Sequence, residues 1–347
     1  MRRRLASVAA ALLVALLGAS ALRGQARESR LFFLGDAGTG GSNQRAVRDQ
    51  MLRLPGSLAF LLGDNIYERG SKDLIGPYFD QVYQPLMARG VSFHAALGNH
   101  DVSTCTTRRL TTIEPLPDDA DAYRWDILRC DVKAQLTHAP FGYLGGKRYY
   151  SVRTDAGNPP LGEVFVLDSN TLNTSQTKLP ALQTDRPQVE WLERALAASN
   201  ARWKIAIMHH PMHSPPVPIK TFLFIPYAEG RAREIQLERQ LQPIFKRLGL
   251  DVVIAGHNHF YARMTPQDGI RYFVSGGGGR SVYEPKEQDG YMAAGGGYYH
   301  FLYVRLTHDR FEYYAIDRDG RSRDAGWWGK GDAADHPLPA GTLPPRQ

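Results

Sequence analysis

Short, evenly apolar runs recur along the chain, and each stops at a small cluster of polar side chains. Leu31–Leu34, Leu58–Leu62, Ser92–Leu97, Lys204–Met208 and Val252–Ala255 are too brief for amphipathic helices, so they predict buried strands. Helical spacing lies between them. Residues 43–54 set Val47, Met51 and Leu54 on one face, and residues 73–89 read as a second helix. Arg231–Leu248 lines up Leu237, Leu241, Ile244, Phe245 and Leu248. Asp185, with Pro187 in the first turn and Gln188 three residues on, predicts a capped helix running to about Ala198. Further strands are expected at Tyr149–Val152, Glu163–Leu167 and near 271–275, 300–306 and 311–317, the last two joined by a hairpin turn at Thr307–Arg310. Strand and helix in alternation predict an α/β layered domain.

Three stretches break the pattern. From Val102 to about Pro140 the periodicity disappears, and the segment is expected to form an irregular insertion on the rim of a site. After Met208, Pro211, Pro215, Pro216, Pro218 and Pro226 interleave with Phe222, Leu223, Phe224 and Ile225. Proline should keep this part out of regular structure, as a lid, a substrate wall or a plain surface loop. Residues 319–347, rich in Gly, Pro, Asp and Arg, are expected to be a poorly ordered tail, so the folded domain is placed at 27–318.

The formal charge of +7 overstates the basicity of the chain. Residues 1–26 hold four Arg and no acid; without them 38 basic residues face 35 acidic ones, a net +3 that calls for no nucleic acid. Within that segment Met1–Arg4 precedes an apolar run from Leu5 to Leu17 and small-residue patterns at Ala19–Ala21 and Gly24–Ala26. This is the layout of a secretory signal peptide, so the chain is expected to be secreted or periplasmic with no stable membrane anchor after cleavage. An uncleaved anchor is the competing reading, but Gly18 and Ser20 interrupt its tail. In an oxidising compartment Cys105 and Cys130 would close a local loop; two unrelated thiols are the alternative.

The polar clusters carry the chemistry. Asp36, Asp64 with Tyr67, Asn99-His100-Asp101, His209-His210 and His257-Asn258-His259 each follow a predicted strand, where open α/β sheets place their ligands. Carboxylate, phenol and amide oxygens with imidazoles suit iron, manganese or zinc rather than a thiolate site. Asp36, Asp64, Tyr67, Asn99, His209, His257 and His259 are too many for one ion with an open position and suit two ions sharing a carboxylate. Two ions about 3.5–4 Å apart clamp the attacking and leaving oxygens of a phosphoryl displacement. A phenol, with an unperturbed pKa near ~10, ligates below neutral pH only to a strongly Lewis-acidic ion.

These motifs resemble those of the metallophosphoesterases, and among them the purple acid phosphatases, especially the small tartrate-resistant type. The match spans roughly residues 30–317, with Asp36–Gly38, Gly63–Tyr67, Gly98–Asp101 and Gly256–Tyr261 fitting throughout. One motif departs, with Ala206 where the family has Val three residues before His209. The resemblance implies a four-layer α/β sandwich, two mixed sheets face to face with helices outside. It implies Fe(III) held by Asp36, Tyr67 and His259, a bridging Asp64, and a divalent Fe(II), Zn or Mn ion at Asn99, His209 and His257. The implied activity is hydrolysis of small phosphate monoesters at acidic pH by attack of a metal-bound hydroxide.

Carried over in the same way, His100 would contact the phosphate and protonate the leaving alkoxide, with Asp101 orienting its ring. A second outer histidine is replaced by Pro218 and Ile219, leaving that role vacant or passing it to His213. His210 stands as a rival to His209, which the family alignment favours. His94, His138, His300 and His308 are expected to be structural or surface residues, and Gly276–Gly279 a tight turn rather than a nucleotide loop. Two other functions compete: a phosphodiesterase or nucleotidase of the same superfamily, and a secreted protein that binds phosphate or metal without turnover. Tyr67 argues against the first, and the complete ligand set with His100 against the second.

Overall fold

Both faces of the central strands are covered, which is why they read as unbroken apolar runs. In the computed structural model, which describes residues 27–103, 106–107, 123–124, 131–172, 185–216, 220–222, 225–227, 231–286 and 290–345, the strands in chain order begin with β1 (Ser29–Leu34), β2 (Leu58–Leu61) and β3 (Ser92–Ala95). Two short strands, β4 (Thr106–Thr107) and β5 (Tyr123–Arg124), pair with each other. Then come β6 (Tyr150–Arg153), β7 (Gly162–Val166), β8 (Trp203–Met208), the ribbon β9 (Lys220–Phe222) and β10 (Ile225–Tyr227), β11 (Val252–Ala255), β12 (Tyr261–Met264) and β13 (Arg271–Ser275). The last are β14 (Met292–Gly296), β15 (His300–Leu306), β16 (Phe311–Asp317), β17 (Ser322–Trp328) and β18 (His336–Pro337).

One seven-stranded sheet has the order β18-β17-β16-β15-β1-β2-β3 and the other β14-β12-β13-β11-β8-β7-β6. Both are mixed: β1, β2 and β3 run parallel, as do β7, β8, β11 and β13, with antiparallel strands outside. Side chains alternate across the second sheet. Ile205, Ile207, Val252, Ile254 and Phe273 enter a core shared with Phe33, Phe60 and Tyr313 of the first sheet. Ala206, Met208, Val253, Ala255 and Val274 instead meet Leu192, Leu196, Leu237, Leu241 and Phe245, on the helices Arg186–Ala198 and Arg231–Leu248. The helices Ser42–Met51 and Gln81–Met87 bury Val47, Met51, Val82 and Leu86 on the first sheet. The result is the four-layer α/β sandwich.

Several expectations need correction. The helix expected over 73–89 changes pitch, from a 3-10 turn (Lys72–Leu74) through a wide turn (Gly76–Asp80) to the α-helix Gln81–Met87. Pro77, which has no N–H, sits in the wide turn. At Asp185 the carboxylate accepts the backbone N–H of Gln188, and the Gln188 side chain donates to that carboxylate at 2.9 Å and bonds the Asp168 backbone rather than accepting the Asp185 N–H of a capping box. The segment 102–140 holds the helix Val132–Thr137, with Val132 and Leu136 buried, too short to show periodicity. Proline does not keep 211–227 free of strands, because β9 and β10 pair there.

The tail departs most. β17 pairs with β16 along its length, and Trp328 is 1% exposed and stacked on Phe311, ring centroids 4.2 Å apart. Its charged residues pair rather than solvate. Asp324 and Asp335 receive Arg263 at 2.8 and 3.0 Å, and Asp335 also takes Arg271 at 3.0 Å, which ties the C-terminal segment to the second sheet. The expected leader at 1–26 and both cysteines, Cys105 and Cys130, lie outside the described residues.

Candidate metal centre

The parallel strands β1, β2, β3, β8 and β11 end together, and their loops are bonded to one another. Gly35 donates to the Ser275 carbonyl at 2.8 Å, Asp36 to that of Gly63 at 3.1 Å, and Gly256 to that of His209 at 3.0 Å. The turns are tight enough that Asp36, Asp64 and His257 adopt left-handed backbone, with φ of 58°, 54° and 70°. For non-glycine residues that conformation is uncommon and clusters at functional sites. Small residues let the loops approach: a Cβ on Gly98 would lie 2.2 Å from Asp64 Oδ1, and one on Gly256 2.8 Å from Asp36 Oδ2. Gly276–Gly279 is not merely a turn. Gly278 donates to the Gly35 carbonyl at 2.9 Å, and a Cβ on Gly276 would come within 2.8 Å of Asp36 Oδ2.

All seven expected ligand side chains are brought together. Tyr67 Oη donates to Asp36 Oδ1 at 3.1 Å and lies 3.2 Å from His259 Nε2, which is itself 3.3 Å from Asp36 Oδ1. In a second group Asn99 Oδ1 is 2.9 Å from both His209 Nε2 and His257 Nδ1, and these two nitrogens are 3.2 Å apart. Asp64 Oδ1 stands 3.4 Å from His209 Nε2, and Asp36, Asp64 and His209 have donor atoms within 4.8 Å of one another. His210 bonds Ser169 Oγ at 2.8 Å through Nδ1, while His209 is the one that meets Asn99.

Backbone carbonyls set the imidazoles. His209 Nδ1 donates to the Leu62 carbonyl at 2.9 Å and His259 Nδ1 to that of Ser281 at 2.9 Å, because a carbonyl can only accept. With Nδ1 so occupied, each ring turns Nε2 to the centre, where it is bare when the imidazole is neutral. On a neutral ring, Nε2 facing an amide or carboxylate oxygen at about 3 Å is acceptor against acceptor, a contact relieved by a bound metal ion or by a proton on that nitrogen. The buried carboxylates Asp36 and Asp64 add two negative charges. Burial raises the Asp36 carboxyl, but His259, His209 and His257 outweigh it and leave it lowered. Burial works against the charged His259 ring, yet its hydrogen bond and attraction to Asp36 leave it raised. Burial, then the charges of Asp36 and Asp64, drive the Tyr67 phenol far above its ordinary value, so its ionisation requires a compensating cation. The donor set fits bound metal.

His100 lies beside this group, its ring 4.6 Å from that of Tyr67. Its backbone N–H donates to Asp64 Oδ1 at 2.8 Å, and Nδ1 donates to the Glu68 carbonyl at 2.6 Å. Glu68, Arg69, His100 and Ser103 line an open cleft of ≈ 680 Å³. Asp101 does not orient the His100 ring as expected. Its carboxylate is fully buried and accepts the N–H groups of Asn65, Ile66 and Gly98, with the Asn65 and Gln135 amides adding further bonds. Burial, then the Asp64 charge, push it up to about 6 against those donors. It shapes the two loops that carry Asp64 and Asn99.

His213 is brought elsewhere. It packs against Tyr272, ring centroids 4.3 Å apart, and bonds Tyr291 Oη at 2.6 Å. His94 bonds the Gly142 carbonyl, His138 meets Asp80, His300 lies between Ser275 and Tyr298, and His308 is exposed beside Asp309. Sequence reasoning missed Gln135, Ser169 and Glu68, and the carbonyls of Leu62 and Ser281. Only Glu68, adjacent to Tyr67, carried a positional signal.

Residues 27–261 match the family model of the calcineurin-like phosphoesterases. The chain is 30% identical over 264 residues to purple acid phosphatase 17 of Arabidopsis thaliana, covering 72% of this chain and 68% of that one. It is 22% identical over 305 residues to tartrate-resistant acid phosphatase type 5 of Homo sapiens, covering 81% and 82%. Among solved structures it is similar to a purple acid phosphatase from yellow lupin (Lupinus luteus) seeds, with TM-score 0.58, 17% identity, and 88% of this chain against 54% of that one. It is similar also to GAP50, the anchor in the inner membrane complex of Plasmodium, with TM-score 0.64, 13% identity, and 88% against 89%. The two structural likenesses carry the fold alone, whereas the sequence match spans every motif of the centre. The chain belongs to the calcineurin-like phosphoesterase family and, within it, to the purple acid phosphatases.

Proposed function

We propose that this protein is an exported acid phosphatase that hydrolyses small phosphate monoesters at a dinuclear centre. The observation that carries the reading is the convergence of seven donors in two groups joined by Asp64, with imidazole nitrogens turned on oxygen atoms. Asp36, Tyr67 and His259 would hold Fe(III), Asn99, His209 and His257 a divalent iron, zinc or manganese ion, and Asp64 would bridge them. Bound there, the pair supplies Lewis acidity to water and to the phosphoryl oxygens.

The chain's own groups do the rest. Leu62 and Ser281 fix the rings of His209 and His259, so neither must reorganise during reaction. The Glu68 carbonyl occupies Nδ1 of His100 and leaves Nε2, in its imidazolium form, to donate to the ester oxygen and protonate the departing alkoxide. Because His213 faces Tyr272 and Tyr291, His100 acts without a second imidazole. The charged and apolar pattern of residues 1–26 supports export.

Turnover of an aryl phosphate monoester and of the matching diester, measured at acidic pH, tests the reading. The monoester is expected to be much the better substrate. A diester hydrolysed as well or better would make the protein a phosphodiesterase, and no turnover of either would leave a binding protein.

A further inference from the structure

Arg280 has no part in the scheme above, yet its backbone is fastened to the centre on both sides. Its N–H donates to the carbonyl of Asp36 at 2.9 Å, and the next residue, Ser281, supplies the carbonyl that sets His259. The side chain cannot therefore be far from the donor groups. Its guanidinium lies 4.9 Å from the ring centroid of Tyr67, and its terminal nitrogen Nη1 is 2.5 Å from Glu68 Oε1. A guanidinium offers five N–H donors in a planar fork, so one contact leaves others for a second acceptor. Glu68 also meets His100, through its carbonyl at 2.6 Å and its carboxylate at 3.9 Å. Arg69 lines the same cleft as Glu68 and His100, so the cleft holds a second guanidinium besides the one Glu68 contacts.

We propose that Arg280 is a phosphate-binding, specificity-determining residue, held by Glu68 and the Tyr67 ring at rest and passing to the phosphoryl oxygens when a phosphate dianion enters. Glu68 acts as its competitor. Stacking on Tyr67 keeps the fork aligned with the metal group, and a bidentate guanidinium suits phosphate geometry better than a point charge. The inference rests on the phosphatase reading above and adds the residue that recognises the dianion.

The test is calorimetric titration of the metal-loaded full chain with inorganic phosphate, alongside steady-state kinetics on an aryl phosphate. Arg280→Gln is expected to weaken phosphate binding roughly 10- to 100-fold, the range for a hydrogen bond to a charged group, and to raise KM more than it lowers kcat. Arg280→Lys should fall between, because it keeps charge without the fork. Glu68→Gln should act in the opposite sense and tighten phosphate binding, because it frees the guanidinium. A merely structural ion pair would respond alike to loss of either partner. The proposal is overturned if Arg280→Gln binds phosphate as the wild type does, or if both variants weaken binding together. Metal content and denaturant unfolding of each variant separate these effects from misfolding, and Arg280→Lys supplies a second reading if Arg280→Gln folds poorly. If wild-type protein neither binds phosphate nor hydrolyses the ester, the phosphatase reading falls and takes this proposal with it. If wild type is active and Arg280→Gln unchanged, only the role of Arg280 falls.

Discussion

A candidate metal centre built at loop tips is decided by single side chains, and under the proposed function they divide into those that would hold and those that would act. His100 is the one proposed to act: its backbone and Nδ1 are committed to Asp64 and Glu68, while its ring is open to the cleft. His100→Ala is therefore expected to keep its metal and to lose about 10²–10⁴-fold in turnover, the usual size of acid–base assistance. Metal analysis beside kinetics checks this, and loss of metal would make His100 a structural residue instead. The donors themselves were legible from the sequence, because Asp, Tyr, Asn and His carry their chemistry in the residue name. What orients them was not. Leu62 and Ser281 act through carbonyls that every residue possesses. His213 misled because linear distance from His209 does not reveal which way the chain leaves the strand.

Elements position the centre through close backbone approach. Asp64 sits at φ 54° against Gly98, where an added Cβ would meet the Asp64 backbone nitrogen at 2.1 Å. Gly98→Ala should thus displace the Asp64 carboxylate, destabilise the fold by roughly 1–3 kcal/mol as overpacking does, and lower metal occupancy. Gly76→Ala, whose Cβ would meet nothing within 4 Å, is the matched control. Denaturant unfolding and metal content of the two variants check this, and equal behaviour would contradict it. Strands β8 and β11 were easy to foresee because both of their faces are buried, one against the facing sheet and one against helices. The strand β17 was hidden by composition. Its buried positions, Ser322, Ala325, Gly326 and Trp328, lie among Arg and Asp, and the charge of Asp324 becomes meaningful only once Arg263 is across from it.

At the scale of the whole molecule, the sheet order could not be read from local pattern. β1 lies between β2 and β15, strands separated by most of the chain, and only the family resemblance supplied the two facing sheets. The assembled core also has a consequence for stability. His300 is fully buried, its Nδ1 donating to the Tyr298 carbonyl and its Nε2 accepting from Ser275. Burial, partly offset by that carbonyl and by Asp36, holds its pKa down to about 4. An unfolded histidine titrates near ~6.5. Between these values the unfolded chain binds a proton that the folded chain refuses, so stability falls as pH drops from about 6.5 towards 4 and levels off below. The cost reaches about 3 kcal/mol at 1.36 kcal/mol per pKa unit. His300→Gln should flatten this part of the curve, measured by urea unfolding at pH 7 and pH 4.5. An unchanged difference between the two pH values would assign the acid sensitivity elsewhere.

The most direct test of the dinuclear account is metal analysis of purified protein with its visible spectrum, run beside Tyr67→Phe. Two metal ions per chain are expected, one of them iron, in a coloured, active wild-type protein. In Tyr67→Phe the visible band should vanish while Asp36, Asp64 and His259 still retain iron. An active wild-type protein that is colourless when oxidised and free of iron would contradict the ferric assignment. Full activity with a single bound ion would contradict the shared role of Asp64, and with it the account of how seven donors meet at these strand ends.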